Sequence, residues 1–248
     1  MSISIITVCY NSAATIAEAL ASVAAQRYPN VEHIVVDGAS TDGTPQIVRE
    51  RGTRVARLIS EPDRGIYDAM NKGLAAASGD YVGFLNADDT FADPDALTHV
   101  AAAAADRPEA IFGDLVYVGR HHPNRVVRVW HSGPFHAEAL RHGWMPPHPT
   151  FYVRRDLLAS LGGFDTGLRI AADYEFMMRC LTQPGVRASY VGQILVRMRM
   201  GGASNSSLRA MRRKSAEDLV AIRRYRLGGW WTLACKNLRK APQFLRRH

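Results

Sequence analysis

Residues 79–89, Gly-Asp-Tyr-Val-Gly-Phe-Leu-Asn-Ala-Asp-Asp, set a short apolar run of Tyr81, Val82, Phe84 and Leu85 between Gly79-Asp80 and a cluster of acids. That pattern suits a buried parallel strand with Asp88 and Asp89 at its C-terminal end. Ligands of open α/β sheets collect beyond the carboxyl ends of the strands. Carboxylates placed there can hold a hard divalent cation, which in turn can hold diphosphate oxygens. The same residues also suit a helix start, with Asp89-Thr90 capping a segment from about Pro94.

The flanking sequence favours the strand. Ser2–Val8 reads as a first strand, and Ala13, Ile16, Leu20 and Val23 then share one helical face. His33-Ile34-Val35-Val36 is a second apolar run ending on Asp37-Gly38, with caps at Ser40, Thr41 and Asp42 for a helix over Thr44–Arg51. A third strand is expected at Ala56–Ser60, and Ile66, Met70, Leu74 and Ala77 give helical spacing after it. This alternation argues for a mostly parallel central sheet covered by helices on both faces. Further on, Asp93 caps an alanine-rich helix to about Asp106. Strands are expected at Ile111–Val118, Val126–Trp130, Thr150–Val153 and Ala188–Met198, a loop over Gly133–Pro149 and a helix over Ala171–Leu181.

The 248 residues suffice for one large domain with an appendage, and an apolar fraction of 47% is ordinary for a globular protein. Cys9, Cys180 and Cys235 have no paired spacing, so neither a disulfide framework nor a zinc site is indicated, and a reducing cytoplasm is the natural setting. The N-terminus lacks a basic leader, Ile3–Val8 is too short for a signal-peptide core, and no run of about 18 apolar residues occurs. Charge is unevenly placed. Residues 203–248 carry twelve Lys and Arg against Glu217 and Asp218, a net of +10 that exceeds the +8 of the whole chain. Such asymmetry implies an anionic partner for the tail. Trp230, Trp231, Leu233, Leu238, Phe244 and Leu245 are interleaved there with Lys236, Arg239, Lys240, Arg246 and Arg247. This suits an interfacial segment on an anionic membrane, or equally a helix that packs its tryptophans on the domain. The stripe from Leu208 to Ile222 could serve a homodimer. Nucleic acid is not expected, because no recognised module is present.

Asp37, Asp63 and Asp88-Asp89 follow successive β-runs, and a parallel sheet brings such ends to one edge. Three together suggest a site for ribose hydroxyls, amide-like N–H groups and a metal. Neither G-x-G-x-x-G nor G-x-x-x-x-G-K-[ST] is present, so dinucleotide and P-loop readings lack support.

Five blocks stand in order: Ile6-Thr7-Val8-Cys9-Tyr10-Asn11, Val36–Thr44, Glu61–Gly73, Phe84-Leu85-Asn86-Ala87-Asp88-Asp89 and Ala171-Ala172-Asp173-Tyr174-Glu175-Phe176. From Ser2 to about Ser204 the chain closely resembles family 2 glycosyltransferases of the GT-A fold, especially bacterial enzymes of surface polysaccharide and glycolipid biosynthesis. The resemblance implies a nucleotide-sugar half over about 1–110 and an acceptor half over about 111–202, while the basic amphipathic helical tail over 203–248, read from charge and spacing, is shared with the family only loosely. The resemblance also implies a UDP-, GDP- or dTDP-type sugar donor, Mg²⁺ or Mn²⁺, and inversion at the anomeric carbon. The acceptor would be a saccharide or a lipid-linked one, at the inner face of the cytoplasmic membrane.

Residue by residue, Asp37 would accept from the donor base, and Thr7, Tyr10 and Asn11 would line the nucleoside pocket. Arg64 and Asn71 fall in the third block, beside the donor. Asn86-Ala87-Asp88 occupies the D-x-D position, with Asp88 the first metal ligand and Asp89 its neighbour. His148 would approach the donor diphosphate or the acceptor, and Arg197 and Arg199 precede Gly201-Gly202 as in a mobile loop that brings Arg199 to the donor phosphate, or as in a plain basic turn. Asp173 stands at the general base. Two departures matter: Asn86 replaces the first acid of D-x-D, and Ala172 precedes Asp173 where many relatives have Glu. A sugar-phosphate nucleotidyltransferase would share the acidic sheet edge but usually carries a Gly-rich basic loop after its first strand, where this chain has Tyr10-Asn11-Ser12. A non-catalytic scaffold of the same fold is the remaining alternative. His121-His122 lacks metal-ligand spacing.

Overall fold

The computed structural model describes residues 1–120, 122–201 and 208–239. His121, Gly202, Ser204, Lys240, Phe244, Leu245, Arg246 and Arg247 therefore lie outside the described residues. The first half follows the expected alternation: β1 (Ile3–Cys9), α1 (Ile16–Ala24), β2 (Val31–Asp37), α2 (Thr44–Arg51), β3 (Val55–Ser60), α3 (Ile66–Ala76) and β4 (Tyr81–Phe84). β1 pairs in parallel with β2 on one side and β4 on the other, and β3 extends the sheet beyond β2. All seven residues of β1 are buried, as a central strand covered on both faces requires.

The second half adds β5 (Thr90–Phe91), α4 (Ala96–Ala103), β6 (Ala110–Val118), β7 (Val126–Trp130), α5 (Ala137–Arg141) and a 3-10 turn at His148–Thr150. β8 (Tyr152–Arg154), α6 (Arg155–Leu161), α7 (Ala172–Leu181) and β9 (Ala188–Arg199) complete it. The described strands form one sheet in the order β3-β2-β1-β4-β8-β6-β9-β5, with β7 paired to β6. β8 is antiparallel to both β4 and β6, and β9 is parallel to β6. The expected loop over 133–149 thus contains a helical turn, α5. Arg197 and Arg199 belong to β9 rather than to a loop.

The C-terminal segment is not a free tail. Helices α8 (Leu208–Arg224) and α9 (Trp230–Leu238) lie against the domain. Leu219, Ala221, Ile222, Leu227 and Leu233 enter the same core cluster as Phe176, Met177 and Met178 of α7. Each of the leucine and isoleucine side chains contributes about 1.5–3 kcal/mol when fully buried. The Leu219 and Ile222 part of the Leu208–Ile222 stripe is thereby spent within the chain, while Met211 is exposed. Lys236 also departs from expectation. It is buried against the Tyr174 ring at 3.3 Å and pairs with Asp218 at 2.6 Å, because a buried ammonium needs an anion and finds one on α8. Gly143 lets the 133–149 segment approach α9 closely, since a Cβ there would collide with the backbone of Lys236. No helix among the described residues is long and apolar enough to cross a membrane.

One buried group makes the fold acid-sensitive. His33 of β2 shares a 3.0 Å hydrogen bond with Thr7 of β1. Burial, aided by the Arg54 charge, holds its pKa down at about 4. The native imidazole therefore binds fewer protons than the unfolded one, and its stability contribution is complete above about pH 6.5. We expect that contribution to be lost as pH falls through this window, by on the order of 3 kcal/mol at pH 4. Thermal melts from pH 7 to 4.5 should fall less steeply for His33→Gln; parallel curves would refute the assignment.

Candidate active site

The carboxyl ends of β1, β2 and β4 and the loop after β3 meet along one edge. Asp37 ends β2 and is fully buried. Its Oδ1 accepts from the Ser40 hydroxyl, and its Oδ2 from the Ser40 N–H at 3.1 Å and the Ser60 hydroxyl at 2.7 Å. It thus fixes the loop after β2. Asn11 ties that loop to the one after β1: its N–H donates to Ser40 Oγ (2.8 Å) and its Oδ1 accepts from Thr41 N (3.0 Å). Between these loops lies a cradle. Gly38 forms its floor, where a Cβ would strike the Asp63 carboxylate and press on the Tyr10 ring. Tyr10 is exposed, and Asp63 is anchored through Oδ1 to Gly65 N (2.8 Å). Asp63 Oδ2 makes no hydrogen bond among the described residues.

The turn after β4 carries the acids read from residues 79–89. Asp89 is buried. Its Oδ1 accepts from Arg199 N (3.1 Å) and its Oδ2 from the Asn86 amide (2.9 Å). Burial, and then the neighbouring Asp88 charge, push its pKa up to about 7, with Asn86 and Arg199 opposing. Asp88 is half-buried and makes no hydrogen bond among the described residues. No group of three or more His, Cys, Asp or Glu side chains forms a metal cluster among the described residues. One open carboxylate beside a second acid nevertheless fits a cation that takes its remaining oxygens from diphosphate and water, as Mg²⁺ commonly does.

Asp173 opens α7. Its Oδ1 accepts from Tyr174 N (2.8 Å) and lies 3.3 Å from the Tyr67 hydroxyl, which is closer to the Ile170 carbonyl at 2.8 Å. Burial first, and the Asp173 charge next, raise the Tyr67 pKa far above its usual value, so this phenol stays a donor. His148 lies buried in the 3-10 turn, stacked on Phe84 (5.3 Å) and edge-on to Phe164 (5.8 Å), with its Nε2 lacking a partner among the described residues. Burial lowers its pKa and the nearby Asp173 charge opposes that shift, so the imidazole is neutral and within electrostatic reach of Asp173. Tyr117 of β6 lies within reach of both Asp89 and Asp173, whose charges add to burial in raising its pKa. The Arg128 guanidinium stacks 3.8 Å above its ring.

Several expected donor contacts are placed otherwise. Thr7 is fully buried and spends its hydroxyl on His33. Asn71 clamps Phe164, donating to its carbonyl (2.9 Å) and accepting from its N–H (2.7 Å). Arg64 lies on the surface in an ion pair with Asp68 at 3.1 Å. The Arg199 guanidinium pairs with Glu18, and Arg197 donates to the Pro123 carbonyl at 2.7 Å. Sequence reasoning did not assign Tyr67, Tyr117 or Arg128. Asp63 was visible as an acidic strand end, and only Gly38 beneath it reveals the cradle.

The family model described as Glycosyl transferase family 2 matches residues 4–169. A PGL/p-HBAD biosynthesis glycosyltransferase of Mycobacterium bovis is 31% identical over 209 residues, covering 82% of this chain and 79% of the relative. The O-antigen biosynthesis protein RfbC of Myxococcus xanthus is 32% identical over 220 residues, covering 83% of this chain and 16% of that protein. Among solved structures, S. aureus TarS 1–349 in complex with UDP-GlcNAc superposes with a TM-score of 0.69 at 22% identity. That match covers 91% of this chain but 65% of TarS 1–349. The mannosyltransferase PcManGT of Pyrobaculum calidifontis, in complex with GDP-Man and Mn²⁺, gives 0.66 at 24% identity, covering 99% of this chain and 76% of that one. These likenesses establish a GT-A fold, and the chain belongs to glycosyl transferase family 2.

Proposed function

We propose that the protein is an inverting glycosyltransferase that moves a sugar from a nucleoside diphosphate to a hydroxyl of a saccharide or lipid-linked acceptor. The observation that carries this reading is Tyr117, which feels the charges of both Asp89 and Asp173 and so relates the turn bearing the open Asp88 to Asp173, whose Oδ2 makes no hydrogen bond among the described residues. Tyr10, Gly38 and Asp63 form the nucleobase seat. The ring covers one face, the Asp63 carboxylate accepts from base N–H groups, and the bare Gly38 admits the base. Asp37, inaccessible behind Ser40 and Ser60, holds this seat in place. Asp88 would hold the cation, with Asp89 behind it. When bound, that ion supplies positive charge to the departing diphosphate.

Asp173 takes the proton of the acceptor hydroxyl. The acceptor oxygen bonds to the anomeric carbon on the face opposite the diphosphate, and the glycosyl–phosphate bond breaks with its electron pair passing to the diphosphate. The Tyr174 N–H holds Oδ1, with the Tyr67 hydroxyl 3.3 Å from it, leaving Oδ2 for the proton. His148 stays uncharged beside this carboxylate, so it does not compete as a counter-ion.

The relatives' names concern PGL/p-HBAD and O-antigen biosynthesis, and the acceptor of this chain is read as membrane-borne. On α9, Trp230, Trp231 and Leu238 are 68%, 71% and 67% exposed, and with Ala234 they share one helical face. An apolar face of this kind, bordered by exposed Arg226 and Arg239, fits the interface of an anionic inner leaflet.

Melts with UDP, GDP, dTDP and CMP, each with and without Mn²⁺, test the donor site. One nucleotide should stabilise the chain in a metal-dependent way, by about 2.7 kcal/mol at a hundredfold excess over Kd. Gly38→Ala should abolish that shift while leaving the ligand-free melt nearly unchanged. No shift with any nucleotide in folded protein would remove the donor reading. Asp173→Asn should lower turnover by about a hundredfold or more without weakening nucleotide binding; retained turnover would exclude Asp173 as the base. Sedimentation with phosphatidylglycerol-rich vesicles should recover the chain, and Trp230→Ser/Trp231→Ser should release it. Equal recovery of both, or a doubled mass in solution without lipid, would assign that face elsewhere.

A further inference from the structure

Of the two acids in the basic C-terminal segment, Asp218 neutralises Lys236 and Lys214. Glu217 has a different neighbourhood. Its Oε1 accepts from Arg169 N (3.2 Å), and its Oε2 from Ile170 N (2.8 Å) and Ala171 N (2.9 Å). These are three consecutive backbone donors immediately ahead of α7. N–H groups at a helix start have no partner within the helix, and the positive end of the dipole favours a carboxylate there. Asp173 follows two residues after the last of them.

The grip is two-sided. Ile170 is held by Glu217 through its N–H and by the Tyr67 hydroxyl through its C=O, and the same phenol lies 3.3 Å from Asp173. The helix carrying Glu217 is itself locked onto α7. Arg224 pairs with Asp165 (2.9 Å) and Glu175 (3.1 Å), Tyr225 donates to Glu175, and Lys236 bridges Asp218 and the Tyr174 ring.

We propose that Glu217 is a positioning residue for Asp173, so that α8 is part of the catalytic apparatus and not an appendage. The proposal rests on the reading of Asp173 as the base. Without the Glu217 carboxylate, the loop over 169–171 loses three hydrogen bonds at once, and the first turn of α7 is free to shift. A displacement of about 1 Å at a catalytic group can cost on the order of a hundredfold in rate.

The test uses the full-length chain with Glu217→Gln and Glu217→Ala, and UDP-N-acetylglucosamine and GDP-mannose with Mn²⁺ as probes. Hydrogen exchange of the peptide spanning 169–175 should quicken by about tenfold or more, without matching change in α1 or β1. In the same variants kcat for the probe that turns over should fall by about tenfold or more, with KM changed less than about twofold. In an Asp173→Asn background, Glu217→Ala should add no further loss, because the two act through one group. Three results would overturn the proposal: unchanged exchange, faster exchange with unchanged kcat, or an equal loss in the Asp173→Asn background. If neither probe turns over in the unsubstituted chain, that failure belongs to the donor assignment, and exchange over 169–175 still decides whether Glu217 holds the loop.

Discussion

The buried carboxylate of Asp89 is the joint on which the site depends. It takes the Asn86 amide from its own turn and the Arg199 N–H from the end of β9. The turn after β4 is thus fastened to the end of β9. Desolvating a carboxylate is costly unless its lone pairs are occupied, so the turn over 86–89 has little freedom to open. Asp88, next in line and without such partners, is left at the edge where a cation can reach it. Asn86 in place of an acid has a physical consequence here: it donates to Asp89, whereas an acid at that position would repel it.

The second organising feature is the polar seam between α7 and α8. Glu175, Arg179, Arg224, Tyr225 and Asp165 form one ion-paired network, and Lys214, Asp218 and Lys236 form another beside it. Buried ion pairs contribute little net stability compared with apolar packing, and breaking one is costly. Their effect here is to define how α8 lies on α7. The α9 face bearing Trp230 and Trp231 is then turned outward, and Asp173, the proposed base, and the proposed membrane face belong to one packed unit.

Much of the first half was legible in the sequence because strand and helix periods alternate cleanly there, and the acids fall at strand ends where the sheet must gather them. Thr44–Arg51 and Val126–Trp130 have the expected bounds. β8 was the harder case. A strand of three residues gives no periodicity, and its antiparallel insertion between β4 and β6 is set by partners tens of residues away. Side-chain roles were less legible than places. Thr7 and Asn71 stand in the quoted blocks and Arg199 beyond them, yet their side chains engage His33, Phe164 and Glu18. A composition count reads Lys236 as surface charge, because nothing local shows that Asp218 waits eighteen positions earlier on another helix.

The central claim is that Asp88 and Asp173 are two ends of one inverting site. It is tested most directly by proton NMR of the sugar first released or transferred from the α-linked sugar nucleotide that the melts select, recorded before mutarotation. The account predicts a β-anomer as the first product, formed by Asp173→Asn at least about a hundredfold more slowly. An α-anomer as first product would contradict displacement by a single base-activated oxygen, and with it the role given to Asp173.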